Sequence, residues 1–394
     1  MKLIKKKPLN YKTMIKQHMK ILKSLQFKSG LFSASKHDVG TGYDKAWLRD
    51  NFYECIAFEV LGDWDTVRQT YRALLDIFKK HEFKIDSAIL KKPAYTHQYI
   101  HARYHPETFN EFWEEWGNKQ NDSVGCILFK IGELEKERGI KILESEDDYR
   151  IVQKLVDYLS TLEYWHDPDS GMWEEDQEVH ASSIGACVAG LEMVKNIEGI
   201  EVHEDIIKKG YQALARLLPR ESQRKFVDLA LLPLIWPYEV TTKSQTREIL
   251  SNVEYHLLKN KGVIRYKSDE YYNKNLDNVS EEAEWTFGLF WLAIIYEKLG
   301  MKKKAKKFME QSIGTVTKNG EVPELYYSNT NKPNDNTPLG WSESLFITAL
   351  YYVNKGHMNG GRKKKAVKKV VRKKVKKVVK KRTRKSVKKK VSKK

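Results

Sequence analysis

Apolar positions recur along this chain with the spacing of helices. Val67, Tyr71, Leu74, Leu75 and Phe78 share one side of a helix, with Arg68, Arg72, Lys79 and Lys80 elsewhere around it. Met301, Ala305, Phe308, Met309 and Ile313 repeat that arrangement among lysines. Two other stretches, "EWTFGLFWLAIIY" (284–296) and "LGWSESLFITALYYV" (339–353), are apolar almost all round, as a helix enclosed by others must be. Alternating strand patterns are scarce. The periodicity predicts about twelve helices, starting near residues 9, 49, 65, 121, 147, 181, 203, 222, 242, 282, 302 and 337. From the second onward, enclosed and half-exposed helices broadly alternate. That alternation fits a closed double ring, six inner helices wrapped by six outer ones. An open helical-repeat solenoid has a similar count but leaves one edge of each inner helix exposed. The expected fold is all-α.

Charge changes the picture of the C-terminus only. The 394 residues carry a net charge of +19, which suggests a nucleic-acid binder until the charge is located. Residues 362–394 hold 21 Lys and Arg and no acid. Setting these aside from the 71 basic residues leaves 50 against 52 acids in residues 1–361, a net of −2. Gly360-Gly361 marks the boundary, and the expected organisation is a helical domain over 1–358 followed by a low-complexity Lys/Arg-rich tail over 359–394. Mutual repulsion predicts a disordered tail when free, with electrostatic attachment to a polyanion, nucleic acid or an acidic membrane surface, as its expected use. Three cysteines (Cys55, Cys126, Cys187) lie far apart in apolar segments without ligand or pairing spacing, as buried thiols of a reducing compartment would. The N-terminal "MKLIKKKPLNYKTM" lacks the apolar stretch of a signal peptide, and no run of about 18 apolar residues predicts a membrane span. These features point to a cytoplasmic protein. No close His/Asp/Glu set has metal-ligand spacing, so no metal and no redox cofactor is expected.

The unusual residues cluster in the connections that lead into the enclosed helices: "YDKAWLRDNFY" (43–53), "EEWGNKQNDSVG" (114–125), "MWEED" (172–176), "IRYKSDEYY" (264–272) and "VPELYYSNTNKPNDNTPLGW" (322–341). Loops at one end of a ring face one mouth, where residues distant in sequence converge. Ten Trp and 21 Tyr, many of them in these loops, suit a sugar, whose C–H faces meet aromatic rings and whose hydroxyl rim meets carboxylates and Arg.

These segments resemble, in order, the conserved elements of glycoside hydrolase family 15, the glucoamylase family. The likeness is nearest to the glucoamylase-like domain of phosphorylase kinase regulatory subunits. "DKAWLRDNFY" resembles the segment that grips the terminal sugar, and "EWGNKQNDSVG" the Trp-Gly-x-x-Gln-x-Asp element. "PDSGMWEE" followed by "ASSIGACVAGLE" is similar to the general-acid segment. "RYKSDEYY" with "EAEWTFGLFWLA" is similar to the fourth element, and "VPELY" with "TPLGW" to the general-base segment. The resemblance spans about residues 25–355 and implies an (α/α)6 barrel. It also implies inverting, exo-acting hydrolysis of α-glucosidic bonds in soluble α-glucans or oligosaccharides.

Inversion uses two carboxyl groups about 6.5–9.5 Å apart, one protonating the leaving oxygen and one activating water. The resemblance places the acid at Glu174 and the base at Glu324. Glu175 and Asp176 are rivals for the first role. Glu321 and Glu343 are rivals for the second, Glu343 being expected at a rim or on an outer face. Trp173 beside Glu174 is expected to exclude water, and Glu175 to add like-charge pressure, both raising the acid's pKa. Arg49 and Asp50 are the implied ligands of the non-reducing end, with a structural ion pair as their alternative. The resemblance puts Gln120 and Asp122 in the sugar pocket, where they otherwise cap a helix. Arg265 and Asp269 are further sugar ligands or a salt bridge. Trp47 falls in the sugar-gripping segment. Trp116, Trp173 and Trp341 are stacking candidates, with core packing equally expected for Trp341. His180 caps or packs. Because the nearest likeness is to regulatory subunits, a silent glucan-binding module is the alternative function, and a polyanion-associated protein acting through its tail is a third.

Overall fold

The structure, a computed structural model, describes residues 10–114, 116–273 and 281–358. The tail predicted over 359–394 lies outside the described residues. Five long helices are buried nearly all round: α2 (Leu48–Leu61), α5 (Asn121–Gly132), α7 (Ala181–Val194), α11 (Phe287–Lys298) and α13 (Gly340–Met358). The sixth inner place is taken by a single helical turn, α9 (Leu232–Ile235). Neighbouring inner helices pack in sequence, α2 on α5, α5 on α7, α7 on α9 and α9 on α11. The ring closes where Trp291 and Phe290 of α11 meet Trp341 and Phe346 of α13. Ser344 of α13 then receives the Ala57 N–H and donates to the Tyr53 carbonyl of α2.

The outer layer comprises α1 (Tyr11–Ser24), α3 (Trp64–Lys80), α6 (Glu146–Leu162), α8 (Glu204–Leu217), α10 (Lys243–His256) and α12 (Lys302–Ile313). Each buries one stripe and wets the other, as the 3.6-residue period requires. Their starts carry strong caps: Ser145 and Thr242 form reciprocal capping boxes, and Asp63 receives the Thr66 N–H. The fold is the six-hairpin helical barrel that the pattern and the resemblance predict.

Three expectations need correction. No long helix begins near 222; the chain stays irregular to a 3-10 turn at Leu229–Leu231, and Pro233 and Pro237 confine α9 to one turn. Conversely α4 (Glu82–Leu90) was not predicted: it follows α3 across His81 and packs on α6. The helix expected near 282 starts at Phe287, because residues 284–285 form an antiparallel pair with 325–326. A second pair joins Ala46–Trp47 to Arg103–Tyr104. One strand of each ribbon, 46–47 and 325–326, lies in a connection named above. Among the described residues no helix is long and apolar enough to cross a membrane.

Candidate active site

The inner-helix connections enclose a cavity of about 220 Å³, the size class of one bound hexose. Of the residues singled out from the sequence, Trp47, Arg49, Asp50, Trp116, Trp173, Glu174, Glu175, Arg265, Glu324 and Trp341 line it. Gln120, Asp122 and Asp269 do not; they stand one layer behind. Gln120 Oε1 and Asp122 Oδ2 take hydrogen bonds from Arg49 Nη1 at 2.8 and 2.9 Å. Asp269 holds Arg265 through two bonds of 2.6 and 2.7 Å. All four charged partners are nearly buried, so each cation needs its carboxylate to remain in place.

Glu174 owes its direction to the turn that carries it. Asp169 and Glu178 exchange backbone bonds at 2.8 and 2.9 Å and close a loop. Inside that loop Gly171 and Glu174 both adopt positive φ, +61° and +62°. Such a conformation is uncommon for a non-glycine residue and turns the Glu174 side chain into the cavity. Gly117 lets the facing strand of chain press in: a Cβ there would sit 2.8 Å from the Glu174 carbonyl oxygen. The close approach brings Trp116 Nε1 to 2.5 Å from Glu174 Oε2, while Arg49 Nη2 lies 3.2 Å from Oε1. Trp173 is aimed by Asp228, which accepts its indole N–H at 2.9 Å.

The rivals for the acid separate cleanly. Glu175 is bound by Arg265 at 2.7 Å, Lys225 at 2.8 Å and the Tyr266 hydroxyl. Burial opposes its ionisation, yet Arg265 and Lys225 outweigh burial and hold its carboxyl below the ordinary range. The like-charge pressure expected from Glu175 is therefore neutralised by two cations. Asp176 is exposed and faces Arg224.

Glu324 lines the same cavity from the 322–341 segment. Its backbone N–H bonds the Asn336 carbonyl, and its own carbonyl receives the Thr286 N–H beside the 284–285 ribbon. The side chain is buried, and Asn334 and Asn336 donate to Oε2 at 2.6 and 2.7 Å. Burial raises its pKa; the two amides, the Tyr43 hydroxyl and Arg265 restrain the rise. Glu321 instead pairs with Lys36 at the surface. Glu343 is not the rim or outer-face residue expected: it is fully buried, bonding His18 Nδ1 at 2.6 Å and the Val322 N–H at 2.7 Å, outside the cavity.

Asp50 lies between the two glutamates electrostatically. Burial raises its pKa to about 7, with Arg49 pulling it down and Glu174 and Glu324 pushing it up. No other side chain hydrogen-bonds Asp50 among the described residues, so its carboxyl keeps capacity for a hydroxylated ligand, while Arg49 Nε is buried and unpartnered. Trp341 proves to be a core residue with an edge in the cavity, stacked between Tyr53 at 4.2 Å and Phe287 at 4.8 Å. His180 pairs with Glu221 at 3.2 Å and packs its ring against Gly171. Several lining residues escaped the sequence reading: Tyr43, Tyr271 and Trp285 complete the wall, and the Tyr43 and Tyr271 hydroxyls touch at 3.2 Å. Their signal was present only as aromatic density in the right loops. Among the described residues no group of three His, Cys, Asp or Glu side chains is placed to hold a metal ion.

A ring of helical hairpins with an acid-bearing, aromatic-walled hollow at one end has the architecture of the glucoamylase-like barrels. The family is also legible in comparison: glycosyl hydrolases family 15 matches residues 10–372, and the chain belongs to that family. The liver isoform of phosphorylase b kinase regulatory subunit alpha from Oryctolagus cuniculus is 24% identical over 389 residues, covering 81% of this chain. The alignment takes in only 31% of that protein, so the chain spans about a third of the length of the curated relatives it matches. A solved wild-type glycosidase superposes with a TM-score of 0.76 at 17% identity, covering 87% of this chain and 97% of the other. A bacterial glucoamylase complexed with acarbose gives 0.66 at 15% identity, covering 88% and 56%.

Proposed function

We propose that this protein is an inverting, exo-acting glycosidase of the glucoamylase type that removes β-glucose from the non-reducing ends of soluble α-glucans or oligosaccharides. The observation that carries the reading is that Glu174 and Glu324, from different loops, line one hexose-sized cavity together with Arg49 and Asp50. In this mechanism Arg49 and Asp50 bind the hydroxyls of the terminal sugar, and Trp47, Trp116 and Trp173 supply apolar walls. Glu174 protonates the leaving glycosidic oxygen. Trp116 holds Oε2, and the longer contact from Arg49 leaves Oε1 as the oxygen that delivers the proton. Glu324 takes a proton from water at the anomeric carbon. Both amides converge on its Oε2, so Oε1 is the basic oxygen. A cavity with room for one sugar ring favours cleavage from chain ends over cleavage within a chain. The three cysteines are buried free thiols, which suits a reducing, cytoplasmic setting.

The test is a panel of maltose, maltotriose, isomaltose and trehalose with the product anomer followed by NMR. β-Glucose from the attacked non-reducing unit of at least one substrate is expected; initial α-glucose from maltotriose, whose other product is maltose, overturns inversion. The likeness to phosphorylase kinase regulatory subunits supports a second reading, a glucan-binding module without turnover. Saturable oligosaccharide binding with no hydrolysis of any panel member selects it. The tail's 21 basic residues without one acid support an added attachment to a polyanion such as nucleic acid. Binding that weakens steeply with salt is its expected signature.

A further inference from the structure

A second cavity, of about 480 Å³, lies in the outer layer between α4 and the 91–98 segment and shares no lining residue with the hexose cavity. Its chemistry is the reverse of the first. Lys84, Lys91, Lys92 and His97 line it, and no acidic residue does. Its rings are Phe83 and Tyr95, exposed by 64% and 66%, an unusual outlay of aromatic surface. Tyr95 lies parallel to His97, their rings 5.8 Å apart and 8° from coplanar.

The segment is built rather than loose. Gln98 Oε1 accepts the Ala94 and Tyr95 N–H groups at 2.8 and 3.0 Å, and the Tyr99 hydroxyl bonds the Pro93 carbonyl at 3.2 Å. Lys92 Nζ is anchored on Asp167 at 3.0 Å and on the Leu162 carbonyl at 2.7 Å, and Lys84 on Glu111 at 2.8 Å. With those needs met inside the protein, the side chains of Lys91 and His97 make no hydrogen bond or ion pair among the described residues. A lining with no carboxylate of its own, where Lys91 keeps an unpaired ammonium beside the parallel Tyr95–His97 rings, suits an anion joined to a planar ring. A neutral oligosaccharide lacks the carboxylate acceptors that the hexose cavity supplies, and this chain's basic tail is repelled by like charge.

We propose that this cavity binds a small phosphate ester carrying a planar ring, of the mononucleotide type. The phosphate meets the unpaired Lys91 ammonium, and the ring lies on the Tyr95–His97 pair. The volume lies within the range of small-ligand sites. The experiment is calorimetric titration of the full chain with AMP, adenosine, inorganic phosphate and glucose 6-phosphate, repeated on Lys91→Glu and Tyr95→Ala. Both substitutions fall on the surface and outside the hexose cavity, and each variant's melting profile is taken to confirm folding. AMP is expected to bind saturably, with each substitution weakening it about tenfold or more and with adenosine and phosphate each binding less tightly than AMP. AMP binding untouched by either substitution assigns the site to the tail or elsewhere and overturns the proposal. So does an absence of saturable binding up to about 10 mM. Glucose 6-phosphate binding as tightly as AMP overturns the planar-ring assignment.

Discussion

The indole N–H of Trp116 lies 2.5 Å from Oε2 of Glu174. This contact exists because Gly117 presses against the Glu174 backbone and because Glu174 accepts a left-handed conformation. Behind Trp116, the Arg103 guanidinium is stacked 3.8 Å from the ring and paired with Glu114 at 3.0 Å, which clamps the indole from its other face. Replacing Trp116 with Phe keeps a ring but deletes the donor. Turnover is expected to fall about tenfold, the scale of one hydrogen bond to a charged group, with the melting temperature little changed.

On the proposed mechanism, Glu174→Gln and Glu324→Gln each remove a proton carrier and keep the shape. Each is expected to lower kcat by about 10²–10⁴-fold while circular dichroism and thermal melting remain those of the parent. Oligosaccharide hydrolysis retained in either variant would remove that residue from the mechanism.

Asp122→Ala provides the contrast. Arg49 would lose its nearer buried anion and keep only the 3.2 Å contact to Glu174, a change expected to cost up to about 3–5 kcal/mol of stability. Activity and melting temperature should fall together, whereas the two glutamine variants lose activity alone. Differential scanning calorimetry beside hydrolysis rates separates the cases.

The pH dependence of kcat/KM follows from Glu324. A base must be ionised, and burial raises this group's pKa, so activity should fail on the acid side above the ordinary glutamate value of about 4.3. The Asn336 amide favours the ionised form. Asn336→Ala is therefore expected to move the acid limb further up, and a limb that moves down would contradict the assignment.

Stability should also depend on pH. Burial raises Asp50, Asp169 and Asp228 to about 7 in the folded chain, against about 3.9 when unfolded. Between these values the folded state holds protons that the unfolded state has released, so stability declines as pH rises. Melting between pH 4.5 and 6.5 avoids His180, whose pKa the Glu221 bond raises to about 9 despite burial. Its contribution is complete below about 6.5 and is lost only as pH rises through 9. Asp228→Asn keeps the acceptor for Trp173 and should flatten the slope.

Much of the architecture was readable in one dimension, because helical periodicity and all-round apolar stretches are local consequences of how each helix will be covered. The stripe of Val67, Tyr71, Leu74 and Phe78 and the enclosed run 284–296 announced outer and inner layers. The order of five loop segments, rich in Trp, Tyr and acids, announced one mouth. Where local signals competed, the reading slipped: Pro233 and Pro237 reduced the helix expected near 222 to a turn, and α4 followed α3 without a clear break in the pattern.

The surroundings of each residue in the mouth depend on packing across the ring. Three consecutive acids, Glu174, Glu175 and Asp176, look equivalent along the chain. In the fold one turns inward through its backbone angle, one is captured by Arg265 and Lys225, and one meets solvent. Gln120, Asp122 and Asp269 sit behind the cations they hold, and Tyr43, Asn334 and Asn336 gather around Glu324. Such partnerships join residues up to about three hundred positions apart, and they depend on distances through space that no periodicity along the chain encodes.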